Sequence, residues 1–411
     1  MRGFWGLEVR VNEIEINYWN VAKETKKPEQ RVIPNQPEVA QGGKPRVIIS
    51  GGGTGGHIFP AIAIADAVKA LAPEAVIRFV GAKGKMEMEK VPKAGYPIDG
   101  LWISGFQRKL TLRNLSFPLK LISSLWRAWQ IIRRFKPQVA VGVGGYASGP
   151  LLQMANSRGI PTLLQEQNSF PGITNRLLGG KADKICVAYE GMERFFPAGK
   201  VLLTGNPVRH QLQHLKATRA DGAAHFGFDP NRPIIFVFGG SLGAKSINEA
   251  MAANTEPLQN RPEVQVLWQV GKLYEAEFTA CETAQLPNVK ARAFIDGMDL
   301  AYAMADVIVA RSGALTISEL QFAGKPAIFI PSPNVAEDHQ TKNARALVQK
   351  EAALLIPDEE ARERIMAEAL ALADDRERCQ ALRTHIRKLA QPDAAERIAR
   401  EVLRLAETAK A

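Results

Sequence analysis

The sequence has few cysteines, and their spacing argues against the roles that cysteines usually play. Only Cys186, Cys281 and Cys379 occur in the 411 residues, and none belongs to a CxxC pair. An odd, widely spaced set argues against a disulfide framework and against a zinc site, and it favours a reducing compartment. The chain also has no D-x-D pair that would supply ligands for a diphosphate-bound metal. We therefore predict neither a metal nor another cofactor.

Long apolar runs are missing as well. No uninterrupted apolar stretch approaches the roughly 18 residues that cross a bilayer. Glu8, Glu13 and Glu15 interrupt the apolar region that a signal peptide would need. Residues 1–43 carry six basic and six acidic side chains and end in a Pro/Gln/Gly-rich stretch, so we expect a flexible N-terminal extension.

Negative charge is in deficit. The chain has 53 Lys and Arg against 42 Asp and Glu, a formal net charge of +11. A nucleic acid, an anionic membrane or a phosphorylated ligand would each attract such a protein. Residues 101–136, however, contain eight basic side chains and no acidic one, so most of the excess lies in one segment.

The order of strand, glycine loop and helix occurs twice in the chain. An apolar strand at Val47–Ile49 precedes a glycine loop at 50–56 and a helix that begins at His57. The same order returns with a strand at Ile234–Phe238 and a loop at 239–243. Helix-length spacers separate the further strands, which are predicted at 76–80, 139–141, 264–268, 307–310 and 327–330. The sequence therefore predicts an α/β fold with two Rossmann-like domains of parallel strands, and a ligand at the carboxyl ends of those strands. The tail at 359–409 is predicted to be helical and divided in two by Pro392.

The first glycine loop satisfies the dinucleotide fingerprint GxGxxG literally. That fingerprint also needs an acidic residue at the end of the second strand, and Val80 is followed instead by Gly81, Ala82 and Lys83. A nicotinamide cofactor is therefore disfavoured. A P-loop is disfavoured too, because neither loop ends in GK[ST]. Glycine loops before helices remain well suited to a diphosphate, and a third glycine stretch occurs at 142–150.

Six motifs resemble those of one known family, the MurG transferases. In chain order they are Gly52-Gly53-Thr54-Gly55-Gly56-His57-Ile58-Phe59-Pro60, Gly144-Gly145-Tyr146-Ala147-Ser148-Gly149-Pro150, Gln165-Glu166-Gln167-Asn168, Gly205-Asn206-Pro207-Val208-Arg209, Gly239-Gly240-Ser241-Leu242-Gly243-Ala244 and Arg311-Ser312-Gly313-Ala314-Leu315-Thr316-Ile317-Ser318-Glu319. The resemblance covers roughly residues 44–357. It implies the GT-B fold, with an acceptor- and membrane-binding domain at 44–206 and a donor-binding domain at 207–411.

The resemblance also implies an activity. The family transfers N-acetylglucosamine (GlcNAc) from UDP-GlcNAc to undecaprenyl-diphosphoryl-MurNAc-pentapeptide (lipid I), which yields lipid II for bacterial peptidoglycan. The expected partners are therefore UDP-GlcNAc, the lipid-linked acceptor and an anionic membrane surface, with no nucleic acid. The expected location is the cytoplasmic face of the plasma membrane, as a peripheral protein.

Site residues follow from the matching motifs. The resemblance assigns the donor site to Thr54, Gly55, Gly56, Asn168, Arg209, Ser241, Ile295, Ala314, Leu315, Thr316, Ile317, Ser318, Glu319 and Gln340. Gln165 and His339 depart from residues found in some members of the family. Tyr146 is equally suited to packing and to contact with the acceptor.

Four of these residues have specific expected roles, each beside a plainer one. His57 is the candidate base that takes the proton of the attacking hydroxyl, or it orders the glycine loop. Glu319 is expected to accept the ribose hydroxyls, although Thr316-x-x-Glu319 also matches a helix capping box. Arg209 would bind the diphosphate as a bidentate cation, or it is an ordinary surface arginine. Ile295 would contact uracil through its backbone, and its plainer interpretation is a core residue.

The basic segment is predicted to bind a membrane surface. Leu119, Ile122, Leu125, Trp126, Trp129 and Ile132 recur at helical spacing among its cations. A basic amphipathic helix with tryptophans is typical of a surface that rests on anionic lipid. The predicted membrane and acceptor residues are Tyr146, Trp102, Arg108, Lys109, Arg113, Trp126 and Trp129. The alternative is that the apolar stripe packs onto the sheet.

Two other functions remain open at this point. A UDP-sugar epimerase, or a transferase with another acceptor, would share the fold. A non-catalytic binder of nucleotide sugars at the membrane surface would share the glycine loops, but it would not need His57, Glu319 and Gln340.

Overall fold

The computed structural model describes residues 44–104, 117–208 and 216–409, which belong to one compact unit. The expected extension at 1–43 lies outside these residues. Two fully parallel sheets organise the described chain. This arrangement confirms the predicted α/β class with two Rossmann-like domains.

The first sheet has seven strands in the order β3-β2-β1-β4-β5-β6-β7. They are β1 (Arg46–Ser50), β2 (Val76–Ala82), β3 (Ile98–Leu101), β4 (Val139–Gly142), β5 (Thr162–Glu166), β6 (Lys184–Val187) and β7 (Val201–Leu203). Helices cover both faces, which is why β1 and β4 are continuous apolar runs with Val47, Ile49 and Val141 fully buried. The helices of this domain are α1 (Gly55–Leu71), α2 (Glu87–Lys93), α3 (Phe117–Phe135), α4 (Ser148–Ser157) and α5 (Ile173–Gly179).

The second sheet has six strands in the order β10-β9-β8-β11-β12-β13. They are β8 (Ile234–Phe238), β9 (Gln265–Gln269), β10 (Val289–Arg292), β11 (Val307–Ala310), β12 (Ala327–Phe329) and β13 (Leu354–Leu355). The helices that follow β7 are α6 (Arg219–Phe226), α7 (Lys245–Ala252), α8 (Thr255–Gln259), α9 (Glu275–Phe278), α10 (Met298–Met304), α11 (Ala314–Ala323), α12 (His339–Val348), α13 (Ala361–Asp374), α14 (Arg376–Lys388) and α15 (Ala394–Thr408).

The C-terminal tail contains three helices rather than the two predicted. In addition to the break at Pro392, the helical run is interrupted at Asp375. The Asp375 carboxylate accepts a hydrogen bond of 2.9 Å from the backbone N–H of Arg378 and so caps α14. Because the Asp375 side chain accepts a backbone N–H in the first turn of the new helix, the chain can break here without a proline.

The last helix crosses back to the first domain. Ile398, Val402 and Leu405 of α15 are buried in the same core as Val47 and Ile49 of β1. Arg397 also donates to the carbonyl of Leu203 at 2.8 Å. The expected donor domain at 207–411 therefore does not hold the whole tail, because the apolar face of α15 completes the core of the other domain. The boundary near residue 206 stays a prediction.

Candidate active site

Each sheet has a point where the strand order reverses, and the glycine motifs lie there. In the first sheet β1 and β4 are neighbours, with Ser50 beside Gly142 at their carboxyl ends. In the second sheet β8 and β11 are neighbours, with Phe238 beside Ala310. Ligands of open parallel sheets bind at such reversals, because the loops leave the strands in opposite directions and open a crevice. The fold thus brings four of the six motifs to two crevices.

The two glycine loops of the first domain touch through their backbones. A Cβ atom added to Gly145, whose φ is +87°, would lie 2.3 Å from the carbonyl oxygen of Gly52. No side chain fits there, so this contact requires glycine. Thr54 is the N-cap of α1 but makes no side-chain cap, so the first N–H groups of α1, including those of Gly55 and Gly56, have no side-chain acceptor from it.

His57 lies in the first turn of α1 and faces the third loop. A Cβ atom on Gly144 would be 2.8 Å from its Nδ1, so the ring packs directly on that glycine. His57 Nδ1 lies 2.8 Å from Oε1 of Gln167. Burial lowers the pKa of His57 below its ordinary value of 6.5, and the charge of Glu166 opposes this effect. The ring is therefore neutral at pH 7, as a proton acceptor must be.

Glu87, which the sequence argument did not identify, holds the first glycine loop. Its side chain is fully buried. One oxygen accepts the N–H of Gly53 at 2.9 Å, and the other accepts the N–H of Ala82 at 2.9 Å. The carboxylate that the dinucleotide fingerprint requires after β2 is thus present five residues later, but it binds the protein's own backbone.

Asn168 connects the two domains. Its Nδ2 donates to Glu166 at 3.2 Å, and its Oδ1 accepts from Asn343 of α12 at 3.0 Å. Asn343 is fully buried and also accepts the backbone N–H of Ser169 at 2.9 Å. This predicted donor residue therefore lies at the domain junction, and its partner there is Asn343, which the motifs did not indicate.

A second bridge lies beside it. Asn206 Nδ2 donates to the backbone carbonyl of Gln167 at 3.1 Å and to the Ser318 hydroxyl at 3.0 Å. Two of the predicted donor residues, Ser318 and Ile317 of α11, are buried, so their side chains pack against other parts of the protein. Asn206 therefore links Gln167, the partner of His57, to α11.

The N-terminus of α11 is open. Its N-cap is Gly313, which has no side chain to accept the N–H groups of the first turn, where Ala314, Leu315 and Thr316 lie. Because the helix begins at Ala314, Thr316 is its third residue rather than its cap, so the capping-box alternative for Glu319 is wrong. The hydroxyl of Tyr302 donates to Glu319 at 2.9 Å and fixes the direction of that carboxylate.

The second glycine loop lies beside this helix N-terminus. Ser241 is exposed at the tip of the loop, and Gly240 has a φ of +97°. The Gln269 side chain donates to the carbonyl of Gly240 at 2.9 Å and accepts the N–H of Ile295 at 2.8 Å. Gln269 thereby ties the loop to Ile295, whose side chain is buried as the plainer interpretation required.

The remaining predicted residues are placed as follows. Gln340 accepts the backbone N–H of Ser332 at 2.9 Å and thus supports the loop after β12. Tyr146 is exposed at the third glycine loop. Arg209, Arg108, Lys109 and Arg113 lie outside the described residues. Arg311 follows β11, and its guanidinium donates to the Asp358 carboxylate and the Ser246 hydroxyl within the second domain. In the described part of the chain, no three His, Cys, Asp or Glu side chains form a metal-binding group.

Comparisons with known proteins identify the family of the chain. The glycosyltransferase family 28 N-terminal domain matches residues 47–187, and the family 28 C-terminal domain matches residues 234–398. The UDP-N-acetylglucosamine–N-acetylmuramyl-(pentapeptide) pyrophosphoryl-undecaprenol N-acetylglucosamine transferase of Bacteroides fragilis is 52% identical over 369 residues, which cover 89% of this chain and 97% of that one. The enzyme of the same name from Cytophaga hutchinsonii is 53% identical over 363 residues, covering 88% and 97%.

Solved structures share the fold. The MurG structure of Acinetobacter baumannii has a TM-score of 0.72 at 27% identity, over 88% of this chain and 99% of that one. A UDP-N-acetylglucosamine 2-epimerase has a TM-score of 0.58 at 16% identity, over 88% and 95%, which shows the fold alone. The chain belongs to glycosyltransferase family 28 and, within it, to the MurG family that its motifs predict.

Proposed function

We propose that this chain transfers GlcNAc from UDP-GlcNAc to the N-acetylmuramyl-(pentapeptide) carried on pyrophosphoryl-undecaprenol, which makes lipid II. One observation carries the proposal. In the second domain, the open N-terminus of α11 and the Gly239–Gly243 loop follow the neighbouring strands β11 and β8, and Asn206 connects α11 to Gln167, the partner of His57. The relatives named for this reaction are 52% identical to this chain over nearly their full length.

The second domain has the groups that a UDP donor needs. A diphosphate gains from the unpaired N–H groups and the positive dipole end of α11, next to the Gly239–Gly243 loop with Ser241. Glu319 lies one and a half turns into the same helix, where its carboxylate can accept two ribose hydroxyls. The Tyr302 hydroxyl holds that carboxylate in place before the donor arrives.

The chemistry is a single displacement with inversion. A MurNAc hydroxyl attacks the anomeric carbon of GlcNAc and forms the new C–O bond, while the bond from that carbon to the β-phosphate oxygen breaks and UDP leaves with the electron pair. His57 accepts the hydroxyl proton and later releases it to water. The negative charge that develops on UDP is stabilised by the N-terminus of α11, Ser241 and Arg209.

Helix α3 supports docking on the membrane where the acceptor is held. No helix in the described part of the chain is long and apolar enough to cross a membrane. Ser124, Ala128 and Ile131 face the core, whereas Leu119, Ile122 and Trp126 are exposed. With 3.6 residues per turn, the exposed trio lies on the side of α3 opposite the buried one.

This exposed trio is half of the predicted six-residue stripe. Trp129 and Leu125 are half-buried. Of the six residues, only Ile132 packs into the core, as expected if the stripe packed onto the sheet. Trp102 extends the exposed apolar surface, and the carbonyl of Trp102 accepts the Ser124 hydroxyl at 3.0 Å, which fixes it against α3.

Cations surround this apolar surface. Arg133 lies over the Trp129 ring at 5.4 Å and Lys120 over the Trp102 ring at 5.8 Å. Arg127 and Arg134 are each 3.7 Å from Asp99, so part of their charge is neutralised. Apolar side chains beside cations favour an anionic lipid surface over nucleic acid, which offers no apolar layer. The cytoplasmic leaflet, with its anionic lipids, is the surface that we propose.

The deciding experiment supplies donor and lipid-linked acceptor together and follows UDP release and the mass of the lipid product. Release that requires both substrates, with a GlcNAc-extended lipid, supports the transferase. An epimerase would convert the donor without acceptor, and a non-catalytic binder would release nothing. Either result would refute the proposal.

A further inference from the structure

The buried amide of Gln167 determines which nitrogen of His57 carries the proton. Gln167 is 1% exposed and follows β5. Its Nε2 is surrounded by acceptors: the carbonyl of Val143 at 2.8 Å, the carbonyl of Gln165 at 3.2 Å and the side-chain oxygen of Gln165. A nitrogen in this position can donate its two N–H groups to these acceptors, whereas an oxygen would face the backbone carbonyls of Val143 and Gln165, which cannot donate. The amide orientation is therefore fixed with Oε1 toward His57.

The orientation of the amide fixes the tautomer. Oε1 of Gln167 can only accept, so Nδ1 of His57, at 2.8 Å, must donate. A neutral imidazole has one N–H, and with that proton on Nδ1 the lone pair is on Nε2. The backbone of Gln167 is itself held by Asn206, which also binds Ser318 of α11.

We propose that Gln167 is a positioning residue that keeps His57 in the Nδ1–H tautomer, with Nε2 ready to take the proton of the attacking hydroxyl. This inference rests on the base role proposed above. The electrostatic surroundings agree with it. The titratable groups that act on His57 are Glu166 in β5, which favours the charged ring, and His339 at the start of α12, which opposes it. Burial outweighs both, so the ring is neutral and its tautomer decides whether it can act.

The tautomer can be read directly. In protein labelled with ¹⁵N-histidine, long-range ¹H–¹⁵N spectra distinguish a protonated from an unprotonated ring nitrogen, and loss of one signal set in His57→Gln identifies the residue. We expect Nδ1–H in the wild type and loss of this preference in Gln167→Met. A wild-type ring protonated on Nε2 would overturn the proposal, whatever the activity of the variants.

Kinetics provide the second measurement. In Gln167→Met, kcat should fall about 10- to 100-fold with the KM for UDP-GlcNAc nearly unchanged, because only the proton acceptor is affected. In Gln167→Glu, a carboxylate beside Nδ1 should raise the acid limb of the pH–rate profile by about one pH unit, because it stabilises the imidazolium. An acid limb that coincides with that of the wild type would overturn the proposal.

Gln138→Met is the matched control. Gln138 belongs to the same domain and accepts the backbone N–H of Arg46 at 2.9 Å at the amino end of β1, whereas His57 follows the carboxyl end of that strand. The variant should lower Tm without moving the acid limb, and an equal shift of the limb would show that general loosening explains the effect. A His57→Ala enzyme with near-normal kcat would refute both the base role and the role of Gln167. Absence of transferase activity in the wild type would instead refute the proposed function.

Discussion

Replacing both Ile122 and Trp126 by Ser should detach the protein from anionic vesicles without disturbing its fold. The two side chains are 65% and 61% exposed and lie one turn apart on the outer side of α3. They cover nothing in the protein core, so their loss should change Tm little.

The loss of membrane-binding free energy can be worked out from these exposed fractions. Complete burial of a large apolar side chain is worth roughly 1.5–3 kcal/mol, so the exposed part of each can contribute about 1–2 kcal/mol on entering a membrane interface. The pair then accounts for about 2–4 kcal/mol. At about 1.4 kcal/mol per factor of ten, vesicle partitioning should weaken about 30- to 700-fold.

The assay is co-sedimentation with vesicles of phosphatidylglycerol and phosphatidylcholine across a range of lipid concentrations. The matched control is Leu273→Ser, because Leu273 is 69% exposed but belongs to the second domain. The control should bind like the wild type. The double variant should also keep its kcat on a short-chain, water-soluble acceptor and lose activity only on acceptor embedded in vesicles. Partitioning within twofold of the wild type would refute the membrane role of α3.

Three further predictions concern residues of the candidate active site. Glu319→Gln should raise the KM for UDP-GlcNAc about 5- to 10-fold, since a neutral acceptor makes weaker hydrogen bonds than a carboxylate, with little change in Tm; an unchanged KM in steady-state kinetics would exclude ribose binding by this residue. His57→Ala should lower kcat at least 100-fold, and in the wild type activity should be lost as pH falls through the depressed pKa of His57, because the imidazolium cannot accept a proton; an acid limb lying above pH 6.5 would contradict this assignment. Glu87→Gln should destabilise the protein by about 1–3 kcal/mol in denaturant unfolding, because an amide cannot accept from both Gly53 and Ala82 without turning an N–H toward one of them. The control Glu89→Gln removes only exposed pairs with Lys90 and Lys93, and an equal effect would show that Glu87 has no special role.

Local patterns predicted the fold well because parallel strands covered on both faces must be apolar throughout. The strands around Val47, Ile234 and Val307 could be recognised by that property alone. The helix break at Asp375 could not, since it depends on a capping hydrogen bond that competes closely with continuation of the helix.

The candidate site shows the same difference between features that local sequence predicts and features that only the tertiary structure specifies. The sequence by itself determined the glycine loops and the family, and it predicted the roles of His57 and Glu319, because those inferences depend on residue type and local spacing. Only the tertiary structure decided which partners hold them: Gln167 for His57, Tyr302 for Glu319, Asn343 for Asn168 and Glu87 for the first glycine loop. It also decided that α15 completes the first domain and that Leu119, Ile122 and Trp126 of the stripe on α3 face outward. These partners are far apart along the chain or lie on other elements, and a hydrogen bond depends on distance and direction in space, which no local pattern of residues specifies.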